Sequence, residues 1–84
     1  MKGLIIKNLT HWCDRWSADL AAHLHILDAS YDVLIFDERH SEEEILAHLQ
    51  DAPTELYHLI EVVPAPEDCC DLMADSGLCY RRVP

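Results

Sequence analysis

LHILDASYDVLIFDE, residues 24–38, decides how the whole chain is read. Leu24 and Leu27 continue a helical spacing that starts upstream at Cys13, Trp16 and Leu20, so the first part reads as the end of an amphipathic helix. DASYD (28–32) reads as a turn. YDVLIFD (31–37) has an unbroken apolar run, which predicts a strand buried on both faces, as in a parallel sheet covered by helices. A helix leading through a turn into such a strand is most of a β-α-β unit.

The flanks extend the pattern. GLIIKNL (3–9) is short strand material, and Thr10 is placed to cap the helix that follows. Asp14, Arg15, Asp19 and His23 fall largely off that helix's apolar stripe. SEEEILAHLQ (41–50) opens with a capping box, Ser41 and Glu44, and its glutamates suit the positive end of a helix dipole. Ala52-Pro53 stops the helix. TELYHLIEVV (54–63) is a strand. PAPEDCCDLMADSG (64–77) predicts a turn and a short helix, with acids in the first turn and Gly77 as C-cap. LCYRRVP (78–84) is a last strand or an extended tail. The expected fold is therefore α/β: one acidic domain over 1–84, in β-α-β-α-β-α-β order, with a mostly parallel sheet flanked by helices and right-handed crossovers.

Charge narrows the function. The chain has 84 residues, a formal net charge of −10, and only six Lys and Arg. Such a body repels nucleic acid and anionic membrane, both polyanions, and attracts basic surfaces. No stretch approaches a membrane span, and MKGLIIKNL lacks the long apolar run of a secretory signal. The expected location is cytoplasmic, with the four cysteines reduced.

Chemistry-bearing motifs are sparse. With two glycines the chain has neither G-x-G-x-x-G nor a P-loop, which argues against nucleotide chemistry. Cys69 and Cys70 are adjacent, His23 and His25 face different ways on a helix, and C-x-x-C and H-x-x-x-H pairs are absent, so neither a metal nor any other cofactor is expected. His48 and His58 read as the edges of a helix and a strand. Asp37, Glu38 and His40, at the end of a strand, form a candidate acid–base or Mg²⁺-binding set. The plainer account is a solvated polar loop.

THWCDRWS (10–17) places Cys13 just after the first strand, at the start of a helix. This arrangement resembles the thioredoxin and glutaredoxin superfamily, in which a Trp-Cys pair follows strand 1. Pro53, in DAPTELYHL before strand 3, matches that family's cis-proline position. The resemblance covers roughly residues 3 to 63 and implies a monothiol redox protein acting through Cys13 and Pro53. Trp16 stands where the family's second cysteine would be, and the family's later hairpin and glycine pair are not visible. The plain alternative is that Cys13 packs in the core, as free cysteines commonly do.

The leading expectation is a non-enzymatic acidic protein that binds and inhibits a basic partner, often one that processes nucleic acid. Toxin-neutralising immunity proteins and phage-encoded inhibitors of bacterial defence are similar in size and charge, an analogy that rests on those properties alone. Asp37, Glu38, Glu42, Glu43, Glu67, Asp68 and Asp71 are the expected contacts, with Trp12 as an exposed aromatic anchor. An unpaired edge strand would also permit a homodimer.

Overall fold

The computed structural model describes residues 1–83. Its elements are β1 (Lys2–Ile6), α1 (Asp14–His23), β2 (Ile26–Ala29), β3 (Val33–Phe36), α2 (Glu42–Ala47), β4 (Tyr57–Ala65), β5 (Leu72–Met73) and β6 (Cys79–Val83). Single 3-10 turns lie at Thr54–Leu56 and Glu67–Cys69. The strands form one six-stranded sheet in the order β2-β3-β1-β4-β6-β5. Every pairing in it is antiparallel.

This corrects the parallel α/β expectation, and the cause lies in residues 24–29. Helix α1 stops at His23. Leu24 turns extended, at φ −124° and ψ 155°, while its N–H still bonds Leu20 O. The next four residues leave as strand β2. Leu27, which fits the helical stripe, is the extra residue of a bulge: Ile26 pairs with Phe36 and Asp28 with Ile35. The bulge hides the period-2 signature of a strand. Ser30 N–H then bonds Val33 O at 2.8 Å and closes a tight hairpin. β3 therefore returns between β2 and β1. Residues 2–65 form a β-α-β-β-α-β unit in which β1 lies between β3 and β4, the split β-α-β arrangement.

Strand β3 is buried on both faces, as its continuous apolar run predicts, but the covers differ from expectation. Leu34 and Phe36 join Leu4, Ile6 and Tyr57 beneath the helices, against Trp12, Leu20, Leu24, Ile45 and Leu49. Val33 and Ile35 join Ile5, Ile60 and Val62 on the other face, against Leu72, Ala74 and Tyr80. The second cover is thus the chain's own C-terminal hairpin rather than a helix. Two-sided burial makes a continuous apolar strand whatever the strand direction.

The helix expected within 64–77 is likewise corrected. Pro66 holds an extended backbone, only one 3-10 turn follows, and the chain enters β5. Leu72 and Tyr80 cover the sheet, whereas a short helix is marginal without a face to pack. Gly77 is the turn glycine of the β5–β6 hairpin, at φ 89°. Its N–H bonds Ala74 O, and Ala74 N–H bonds Leu78 O. Cys79–Val83 pairs antiparallel with β4. Pro84, the end of that predicted segment, lies outside the described residues.

The sheet curls so far that its edges meet. Asp75 N–H donates to Ala29 O at 2.8 Å, joining the β5–β6 turn to β2. Asp28 completes the clasp: its carboxylate accepts from Tyr80 O–H at 3.0 Å and from the Ser76 hydroxyl. Burial pushes the Asp28 carboxyl up, but bonds from Ser76, the Ala29 N–H and Tyr80 outweigh it and hold it below the ordinary value. Burial and the neighbouring Asp28 raise the Tyr80 phenol.

Candidate functional site

Strand direction gathers the acidic stretches that the sequence separates. β3 and β4 both run antiparallel to β1, so both end on the side of the sheet where β1 begins. Asp37 and Glu38 follow β3 there, and Glu67 and Asp68 follow β4. Helix α2 starts at the same end, with Glu42 and Glu43 exposed in its first turn. At this end, beside the Asp37–Glu38 loop and the end of β4, lies a cleft in two adjoining parts of about 270 Å³ each. Met1, Leu27 and Pro64 line both parts, Asp37 and Glu38 close one, and Leu78 and Cys79 close the other. Leu27 is 46% exposed and Leu78 60%, so the rim offers apolar surface beside carboxylates.

The members of this rim differ in freedom. Asp37 is engaged within its own loop, taking the Arg39 N–H at 3.0 Å and the Arg39 guanidinium at 3.3 Å. The guanidinium holds its carboxyl below the ordinary carboxylate range. Glu38, Glu42, Glu43, Glu67 and Asp68 are exposed. Asp71 is exposed too, but its carboxylate accepts the Arg82 N–H at 2.9 Å, which ties it to the β6 edge away from the rim.

Trp12 is not an exposed anchor. It is 8% exposed, meets Trp16 and Tyr57 edge to face, and donates its indole N–H to Ser17 Oγ at 2.8 Å. The exposed apolar side chains at the cleft are Leu27 and Leu78, of which the helical reading of residues 24–27 concealed the first.

The acid–base set does not assemble. His40 accepts the His25 N–H on Nε2 at 2.8 Å and shares Nδ1 with Glu44 at 2.8 Å. Both ring nitrogens are used to fasten the end of α1 to the start of α2. Glu44 N–H bonds Ser41 Oγ at 3.1 Å, as the capping box predicts, while the Glu44 carboxylate serves His40.

Cys13 is half-buried and occupies the N-cap position of α1 without a side-chain cap bond. Pro53 precedes the Thr54–Leu56 turn, and the peptide bonds among the described residues are trans. The chain matches no protein-family model, no curated protein and no solved structure. Among the described residues no helix is long and apolar enough to cross a membrane.

Proposed function

We propose that this chain is a non-enzymatic acidic protein that binds a basic partner protein and inhibits it by covering the partner's basic surface. The supporting observation is that Glu38, Glu42, Glu43, Glu67 and Asp68 lie at one end of the sheet, where Glu38, Leu27 and Leu78 border a cleft. First-turn acids on α2 also complement its dipole. That effect does not explain why the second acidic loop falls at the same end of the sheet, where an apolar cleft also opens. Apolar anchors give a contact its affinity, and surrounding carboxylates steer and orient a cationic partner. A partner with a basic groove, such as a nucleic-acid-processing protein, has the matching chemistry. A cytoplasmic setting belongs to this reading, in keeping with four free thiols.

The test is affinity capture at low salt with three forms of the protein. One is the wild type and one carries Glu38→Lys, Glu67→Lys and Asp68→Lys. The third carries Asp14→Lys and Glu55→Lys, at the opposite end of the sheet. The expected result is a basic protein held by the wild type and the third form, lost by the second, and less active in the complex. A partner retained equally by all three forms would remove the rim from the account.

A further inference from the structure

The histidines show a second constellation, on the helical layer. Asp19 and His23 lie one turn apart on α1 and so share a face. His48 is the C-cap residue of α2. Their neighbours Leu20 and Leu49 belong to the same core beneath the helices, which sets His48 against the Asp19 face of α1. The Asp19 carboxylate stands between the imidazoles, Oδ1 at 3.3 Å from His23 Nδ1 and Oδ2 at 3.0 Å from His48 Nδ1. His23 Nδ1 is also 2.9 Å from the Asp19 carbonyl oxygen. The two rings stack, with centroids 4.9 Å apart and planes at 23°. One donor atom from each residue lies within 4.8 Å of the others.

We propose that Asp19, His23 and His48 form a binding site for a divalent transition-metal cation of the zinc class. Zinc takes nitrogen and carboxylate oxygen at about 2.0–2.2 Å, which sets neighbouring ligands of a tetrahedron roughly 3.3 Å apart. The two carboxylate–imidazole separations already fall there. An ion bound here takes Nδ1 of both rings in the tautomer whose proton sits on Nε2, displacing their hydrogen bonds to Asp19, so binding needs side-chain adjustment rather than a new backbone. Two imidazoles and a carboxylate suit zinc and its neighbours in the first transition row better than Mg²⁺ or Ca²⁺.

Three protein ligands leave a coordination position open. Beside the cluster is a cleft of about 300 Å³ lined by Arg15, Trp16, Asp19, His48 and Asp51. Asp51 adds a second carboxylate there, and Arg15 supplies a counter-charge suited to an anion or carbonyl oxygen on the metal's open side.

The experiment is calorimetric titration of chelator-treated protein with Zn²⁺, repeated on His23→Gln, His48→Gln and Asp19→Asn. His58→Gln, an exposed histidine on β4, is the control. All four positions are at least partly exposed, and circular dichroism checks that each variant folds. One ion per chain is expected, with affinity falling at least ~10-fold in the three site variants and unchanged in the control. Wild-type Tm is expected to rise by roughly 10 °C at a hundredfold excess of Zn²⁺ over its Kd. Co²⁺ substitution is expected to give a spectrum without a thiolate charge-transfer band. Binding that survives both histidine variants, a thiolate band assigning the ion to the cysteines, or no saturable binding would each overturn the proposal.

Discussion

Replacing Asp28 by Ala is expected to open the curled sheet at its weakest seam. The side chain accepts Tyr80 O–H at 3.0 Å, the Ser76 hydroxyl, and the Ala29 N–H at 3.0 Å. Ser76 and the Ala29 backbone can turn to water, but Tyr80 is 4% exposed and its hydroxyl loses its partner. An orphaned buried donor costs about 1–3 kcal/mol, and the other bonds add a discounted fraction because Asp28 is part-exposed. The sum is about 2–3 kcal/mol, against a total of about 4–13 kcal/mol for a domain this long. Tm should fall by roughly 10–20 °C. Urea unfolding followed by tryptophan fluorescence measures it, and a double-mutant cycle with Tyr80→Phe should show a coupling of about 1 kcal/mol. The pH dependence has a definite sign. The bonds lower the folded-state carboxyl below its ordinary 3.8, so their contribution is present above that pH and is lost as pH falls through the folded value. Wild type and Asp28→Ala should therefore converge in acid. A variant within about 0.5 kcal/mol of wild type at pH 7, or uncoupled from Tyr80→Phe, would refute this account of the closure.

Four further outcomes follow from packing and burial. Trp12→Ala should destabilise by about 3–5 kcal/mol in urea unfolding, because the ring is core and not a contact surface. Gly3→Val should destabilise by about 1–3 kcal/mol in urea unfolding, since even a Cβ there sits 3.3 Å from Ile60 and 3.4 Å from Ile35 and Val62. Native alkylation read by mass spectrometry should modify exposed Cys69 first and buried Cys79 last. A hydrogen bond with Cys70, together with burial, pushes the Cys79 thiol up to about 11. Because that folded value is raised from 9.0, its contribution to stability is full below pH 9 and is lost as pH rises toward 11, so stability should fall less steeply between pH 9 and 11 in Cys79→Ala than in the wild type.

Much of the local structure was legible in the residues. The first strand, the Ser41–Glu44 cap and most of β4 follow from spacing, capping chemistry and β-branched content, whereas α1 starts after Cys13, with no side-chain cap bond, rather than after Thr10. The topology was not, because one bulged strand of four residues carries it. Leu24 and Leu27 satisfy a helical period, and only the extended turn at Leu24 reveals that the helix is over. Missing β2 made β3 look like the partner of a parallel crossover. The C-terminal hairpin was hidden for a related reason: the acids and Gly77 around Leu72 suit a capped helix as well as a tight turn. At the candidate site, the acidic residues were visible but their meeting was not, since it depends on β3 and β4 pointing the same way. The Asp19–His23 spacing was readable as one face of a helix. The approach of His48 comes only from the packing of α1 against α2.

The account rests most directly on the carboxylate-rimmed cleft as the contact surface for a basic partner. The decisive measurement is a ¹⁵N–¹H NMR titration of the protein with a short peptide carrying arginines around a pair of leucines, at low and then high salt. The prediction is saturable shifts centred on Leu27, Glu38, Glu67, Asp68 and Leu78 that fade as salt is added. Shifts centred at the opposite end of the sheet, or no saturable shift at the rim, would contradict it.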